Sequence, residues 1–164
     1  MSKPPFSVDM TIQGIERLIR QLRDPKTAGK PVTWGMRNSG LAVEREAKRL
    51  VPVNTGRLRD DITTEVESRF PFPRRAQVGP GVVYGKFVEW GTGLFGPLSR
   101  RIVPRTKKAL AWTGKGGTTM VRRSVAGMKP RPYMAPGLER AQGRINDIWK
   151  EVGRRLTKEI ARGR

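Results

Sequence analysis

The side chains in this sequence that could do chemistry are carboxylates and cationic groups, because the chain contains neither histidine nor cysteine. Their absence removes imidazole acid–base catalysis, thiolate nucleophiles and Cys/His zinc sites. Asp60 and Asp61 are adjacent, and Glu65 and Glu67 follow them closely. If this segment is a strand, adjacent side chains point to opposite faces. We therefore do not expect these carboxylates to converge on a metal ion.

Two further features are predicted to be structural rather than chemical. Glu44 and Glu46 stand beside basic residues of a predicted helix, which is typical of a solvated face. The segment GKGG at 114–117 is rich in glycine but lacks the spacing of a phosphate-binding P-loop, so it is interpreted as a flexible hairpin tip. Together these patterns predict a protein that is not an enzyme and that uses no cofactor.

Charge is the strongest compositional signal. The chain has 34 Lys and Arg residues against 14 Asp and Glu residues, a formal net charge of +20. Self-repulsion at this level favours an acidic neighbour, which is either nucleic acid or an acidic protein surface. Both alternatives stay open at this point, because the charge is spread along the whole chain rather than gathered in one tail.

The stretch between Glu89 and Glu139 contains no acidic residue. Apolar segments at 109–112 and 119–121 flank its glycine cluster, a pattern that predicts a β-hairpin. A long basic hairpin with little apolar content is predicted to be an arm that reaches a neighbouring molecule and becomes ordered on assembly. The arm residues expected at a subunit or partner interface are Arg100, Arg101, Arg105, Lys107, Lys108, Trp112, Arg122 and Arg123.

The remaining pattern predicts an α+β fold. A short strand is expected at 6–10, an amphipathic helix at 15–22 and a second helix from Thr33 to Leu50, where Pro52 ends it. Ser39 and Gly40 would allow this helix to pack closely against another helix.

Alternation predicts strands at about 57–68 and 74–83, followed by a helical turn that ends at Gly91. An apolar stripe from Leu138 to Ile160 predicts a long C-terminal helix. The expected architecture is a small, mostly antiparallel sheet packed with two N-terminal helices and this C-terminal helix, plus the basic hairpin arm.

We expect one domain over 1–164, with a core at about 6–92 and 130–161 and an inserted arm at about 94–128. The chain has no apolar run of about 18 residues and no apolar signal-peptide segment near its start. These features predict a protein that does not contact a membrane and is assembled in a cytoplasm.

Three segments in order resemble one known family. LVPVNTGRLR at 50–59 resembles the "P-V-D-T-G-x-L-R" segment of the HK97 gp10-like family of tailed-bacteriophage tail-component and head–tail joining proteins. YGKFVEWGTG at 84–93 is similar to its "Y-A-x-x-V-E-F/W-G-T-G", and KPRPYMAP at 129–136 to its "P-x-P-F-L/M-x-P-A". Asn54 departs from the usual Asp, and the 94–128 insertion is longer and more basic than in the shortest members.

The resemblance covers about residues 8–160 and implies architectural rather than catalytic motifs. The motif residues are Pro52, Thr55, Gly56, Leu58, Tyr84, Glu89, Gly91, Gly93, Pro130, Pro132 and Pro136. It implies a structural virion protein, a tail-completion or neck protein that forms a homo-oligomeric ring, a hexamer or dodecamer, around the DNA channel. Its implied neighbours are head-closure, adaptor, tail-terminator or tail-tube proteins, with possible non-specific contact to DNA in the lumen.

A different class of function stays open beside this one. The net charge alone would suit a basic protein that binds nucleic acid independently of sequence, with an affinity that falls steeply with salt. An enzyme of DNA or cell-wall processing is the third alternative, and it would depend on Asp60 and Asp61.

Overall fold

The protein is described by a computed structural model that covers residues 22–69, 72–114 and 116–162. The predicted strand at 6–10 and helix at 15–22 lie outside these residues, except that Leu22 is helical. Within them the fold is of the α+β class, as predicted. A pair of long helices packs beside a two-stranded antiparallel sheet, and a second antiparallel pair of strands forms the hairpin.

Helix α1 spans Pro25–Leu50, so the prediction that it begins at Thr33 was wrong. Asp24 is its N-cap, and one Asp24 oxygen accepts a hydrogen bond from the Lys26 backbone N–H at 3.0 Å. Proline suits the first helical position because its missing N–H would have had no helical partner there. The Asp-Pro pair therefore starts this helix, and Thr33 lies in its interior. The helix ends before Pro52, as predicted.

The chain between α1 and the sheet differs from the predicted strand at 57–68. A one-turn helix, α2, spans Arg57–Asp60, and strand β1 begins only afterwards at Ile62–Arg69. Leu58 and Ile62 both belong to one buried cluster, whereas Asp60, which a strand would place on the same face, is exposed. Gly56 has a φ of +83° at the start of α2, a conformation that favours glycine.

Strand β2, Phe72–Pro80, pairs with β1 in antiparallel register, with Ile62 opposite Pro80. It ends earlier than the predicted 83. Proline cannot donate to the ladder, and the Val82 backbone N–H donates instead to the Asp61 carboxylate at 2.6 Å. Val82 and Val83 therefore lie in the turn that leads to helix α3.

The remaining elements follow the predicted order. Helix α3 spans Gly85–Trp90 and ends at Gly91, and a 3₁₀ turn spans Gly93–Phe95. Strands β3, Leu110–Thr113, and β4, Thr119–Arg122, form the predicted hairpin. Helix α4 spans Met134–Arg162, with Pro136 in its first turn. The turn at 114–118 closes through a hydrogen bond from the Gly114 N–H to the Thr118 carbonyl at 2.8 Å.

Helices α1 and α4 run antiparallel and approach closely at glycines. A Cβ at Gly137 would lie 3.0 Å from the backbone nitrogen of Ala47, and one at Gly35 would lie 2.6 Å from a methyl of Val152. Gly40, which was predicted to contact a helix, faces the side chain of Thr64 on β1 instead. The core lies between the two long helices and one face of the sheet.

Candidate interaction site

The three sequence motifs meet at one place in the fold, beside the start of α4. A surface pocket of about 380 Å³ is lined by residues of the first motif, of α3 and of the segment before α4. Motif residues in this lining are Pro52, Thr55, Gly56, Leu58 and Tyr84, joined by Val88, Met128 and Arg131. We call this region the motif junction. Residues that are far apart in sequence therefore form one structural unit, an arrangement that their order alone did not specify.

Glu89 links two of the motifs. Its Oε2 accepts hydrogen bonds from the backbone N–H groups of Tyr133 at 2.7 Å and Met134 at 3.0 Å, and its Oε1 accepts one from Ala135 at 3.2 Å. The first N–H groups of a helix have no intrahelical partner, and a carboxylate there also interacts favourably with the helix dipole. Glu89, predicted as an architectural residue, is thus the N-terminal cap of α4.

Tyr133 lies beside the motif junction and is not among the motif residues predicted from the sequence. Its side chain is fully buried, and its hydroxyl donates a hydrogen bond to the Gly85 carbonyl at 3.3 Å. Burial, and then the nearby Glu89 and Tyr84, raise the pKa of Tyr133 to about 12. The phenol therefore stays protonated as a donor. An aromatic residue within a proline-rich segment was the sequence signal that could have identified Tyr133 as a buried residue.

The base of the arm is clasped by backbone pairing. Thr92 donates its N–H to the Met128 carbonyl at 2.9 Å and accepts the Met128 N–H on Oγ1 at 2.9 Å. The Leu94 N–H donates to the Ala126 carbonyl at 2.7 Å. Gly91 and Gly93 have φ values of +74° and +65°, and a Cβ at either would collide with the opposite backbone. These two glycines therefore permit a close approach of two chain segments.

The arm itself carries the predicted interface residues on its surface. Arg100, Arg101, Arg105, Lys107, Lys108, Trp112, Arg122 and Arg123 are all exposed. Arg101 is held by a hydrogen bond from Nε to the Ser124 Oγ at 3.0 Å, and a bridge between Ile102 and Val125 joins the two sides of the arm. The side chains are spread over the arm and do not gather around one pocket.

An apolar groove lies beside the base of the arm. We call it the arm-base groove; its volume is about 490 Å³, and its lining is Lys86, Phe87, Trp90, Gly91, Thr92, Gly93, Gly96, Pro97, Leu98 and Ile102. Leu98 is 71% exposed and Trp90 61% exposed. A patch of large exposed apolar side chains of this kind is typical of interaction surfaces.

A second apolar groove, of about 410 Å³, lies on another part of the fold. We call it the helix–sheet groove; it is lined by Ser39, Gly40, Val43, Ala76, Val78, Met134, Ala135, Leu138 and Ile145. The hydroxyl of Ser39 is buried and has no hydrogen-bond partner among the described residues. The two grooves share no residue.

The carboxylates considered for chemistry have structural partners. Asp60 pairs with Arg59 at 3.2 Å, and Asp61 binds the Val82 N–H. Glu44 is not on a solvated face as predicted, because it pairs with Lys48 at 2.7 Å and accepts the Thr64 hydroxyl at 2.7 Å. Burial opposes ionisation, but the hydrogen bonds from Lys48 and Thr64 and the Lys48 charge hold the pKa of Glu44 below its usual value.

Within residues 22–69, 72–114 and 116–162, no three acidic side chains come together in a way that could hold a metal ion. The same residues include no helix with the length and hydrophobicity needed to cross a membrane. Comparisons with protein-family models, with curated proteins and with solved structures find no match to this chain.

Proposed function

We propose that this chain is a non-enzymatic structural protein of a tailed-bacteriophage virion, which assembles into a ring at the head–tail junction as a tail-completion or neck protein. The observation that carries the proposal is the exposed arm-base groove, where Phe87, Trp90 and Leu98 of the second motif and the arm face water together. The resemblance of the three ordered motifs supplies the phage context.

A ring places particular demands on its subunit. Closed cyclic symmetry uses a head-to-tail interface, which needs two different patches on each copy. The arm-base groove and the helix–sheet groove are two such patches, since both are apolar and they share no residue. The cation in the lining of the arm-base groove is Lys86, whose Nζ lies 5.3 Å from the Phe87 ring centroid. It would face the polar rim of the neighbouring copy.

The rigid motif junction suits the same role. Glu89 and the clasp between Thr92 and Met128 attach the arm to α3 and α4 through direct hydrogen bonds. Force applied to the arm by a neighbouring subunit would therefore pass into the long helix rather than into a loose loop. We propose that the exposed basic residues of the arm meet acidic surfaces of adjacent ring proteins.

The test is the molar mass of the purified protein by light scattering, at low and high salt, with electron microscopy of large species. We expect the unmodified chain to form closed rings and Leu98→Asp to be monomeric. Leu41→Asp is the matched control, because Leu41 is exposed on α1 outside both grooves. Circular dichroism would establish that both variants are folded.

Deletion of residues 99–126 provides a second test of the same proposal. The hydrogen bonds that clasp the base of the arm involve Thr92, Leu94, Ala126 and Met128, so most of the clasp remains and the core is expected to fold. We expect the shortened chain to lose ring formation. An unmodified protein that stays monomeric at every salt and concentration, or a deletion that still forms rings, would refute the proposal.

A further inference from the structure

A strongly basic cleft lies on a part of the molecule that the arm does not reach. It is formed where the first turns of α1 meet the last turns of α4, and its volume is about 480 Å³. Its lining contains five cationic side chains and a single carboxylate: Lys26, Lys30, Arg155, Lys158 and Arg162, with Glu159. Thr27, Pro31 and Trp34 complete the wall. We call this site the helix-end cleft.

Arg155 is held in place before any ligand arrives. Its guanidinium carbon lies 3.9 Å from the centroid of the Trp34 ring, and its Nε donates to the Glu151 carboxylate at 3.0 Å. The hydrogen bond from Arg155, joined by the charges of Arg154, Arg155 and Lys158, lowers the pKa of Glu151, so this anchor remains ionised. A side chain fixed in this way loses little conformational entropy when it binds an anion.

The lysines of the cleft have no such partner. Within the described residues no ion pair involves the ammonium groups of Lys26, Lys30 or Lys158, and all three side chains are exposed. Glu159 is engaged by Arg162 at 3.6 Å. The cations at 26 and 30 face those of α4 across the cleft, so an anion bound between them would relieve their mutual repulsion.

The length of the row of cations on α4, formed by Arg155, Lys158 and Arg162, indicates what kind of anion fits the cleft. Positions 155 to 162 span roughly 10 Å along α4, at about 1.5 Å per residue, which exceeds the reach of one phosphate group. One face of Trp34 is covered by Arg155, and the ring also packs against the buried cluster of α1 and α4. Trp34, the aromatic residue of the described lining, is thus already engaged by protein groups, and the cleft offers an anion mainly its five cationic side chains.

We propose that the helix-end cleft binds the phosphate backbone of a nucleic-acid strand, independently of its base sequence. Successive phosphates supply the closely spaced negative charges that the row requires, and contacts to phosphates position a protein without reading sequence. The inference does not rest on ring formation, because every residue of the cleft belongs to one chain.

The experiment is fluorescence anisotropy of a labelled DNA duplex, titrated with the full chain at several salt concentrations. The cleft variant is Lys30→Gln with Lys158→Gln, and the matched control is Lys107→Gln with Lys108→Gln on the arm. Both change the net charge equally at exposed side chains. We expect the cleft variant to lose about tenfold or more in affinity and to lower the salt-dependence slope by about two, whereas the control changes little.

Three results would overturn the proposal. The first is an equal loss of affinity in the cleft and arm variants, which would indicate general charge attraction. The second is displacement of the DNA by polyglutamate at the same concentration of charge, which would indicate an acidic protein as the occupant. The third is no DNA binding by the unmodified chain at about 50 mM salt, where phosphate contacts are strong. Binding that persists in the Leu98→Asp variant would separate this site from the ring proposal.

Arg155→Lys tests the geometry rather than the charge. Lysine keeps the positive charge but cannot present the planar guanidinium that stacks on Trp34 and forks toward a phosphate. We expect a loss of several-fold in DNA affinity with little change in the free energy of unfolding. Unchanged affinity would contradict the role assigned to the fixed guanidinium.

Discussion

Glu89 lies more than forty residues before α4 in sequence, yet its carboxylate caps this helix, the longest among the described residues. Replacing Glu89 removes that cap. The structure predicts a graded loss of stability. In Glu89→Gln, one amide oxygen can still accept the Tyr133 and Met134 N–H groups, which both bind Oε2. The negative charge and the contact to Ala135 are lost. Because an interaction with the helix dipole contributes roughly 0.3–1 kcal/mol, we expect a loss of about 1 kcal/mol.

Glu89→Ala removes the acceptor altogether. A helix cap contributes about 1 kcal/mol, and a buried or half-buried N–H left without a partner costs about 1–3 kcal/mol. The Tyr133 N–H lies beside a fully buried side chain, so we expect a total loss of about 3 kcal/mol. The order of the free energy of unfolding should therefore be Glu, then Gln, then Ala.

The assay is urea unfolding at neutral pH, followed by circular dichroism. Glu139→Ala is the control, because this exposed acid of the same helix lies beyond its first turn and changes the net charge equally. We expect the control to stay within about 0.5 kcal/mol of the unmodified protein. If Glu89→Ala were as stable as Glu139→Ala, the capping role of Glu89 would be refuted.

Two further predictions concern helix packing and pH. Gly137→Ala should destabilise the protein by about 1–3 kcal/mol, since the new Cβ would lie 3.0 Å from the Ala47 nitrogen. Gly153→Ala on the same helix places its Cβ within 4 Å of no other group and should stabilise the protein by about 0.5–1 kcal/mol. Equal effects of the two substitutions in urea unfolding would argue against the close approach of α1 and α4. The lowered pKa of Glu44 predicts a contribution to stability that is complete above its ordinary pKa of 4.5 and lost as the pH falls through the lower folded-state value. Glu44→Gln should lack this part of the acid-induced loss, and an unchanged pH profile would contradict the assignment.

Several elements could be predicted from the sequence because their signals are local. The apolar stripe of α4, the turn of α3 that ends at Gly91 and the hairpin around 114–117 each depend on residues close in sequence. The stop of α1 before Pro52 followed from the restricted backbone of the residue that precedes a proline.

Predictions failed where two local signals competed. An Asp-Pro pair can end one helix or begin the next, and Asp24-Pro25 does both, since Leu22 and Arg23 are helical and α1 begins at Pro25. The prediction recognised no helix start there and placed the start of α1 at Thr33. The pattern from Leu58 to Ile62 suits either a strand or a single helical turn. A strand would place Asp60 on the same buried face as Leu58 and Ile62, whereas the helical turn leaves Asp60 exposed and buries the two apolar side chains in one cluster.

What the sequence by itself determined about this protein is its class of fold, its strong positive charge and the absence of histidine and cysteine chemistry. These follow from composition and periodicity, which need no knowledge of the partner of any residue. The tertiary structure alone decided that Glu89 caps α4, that Glu44 binds Thr64 and that the lysines of α1 face the cations at the end of α4. Each of these pairs residues on different elements, and only the packing of two long antiparallel helices with the sheet brings such residues within reach of one another.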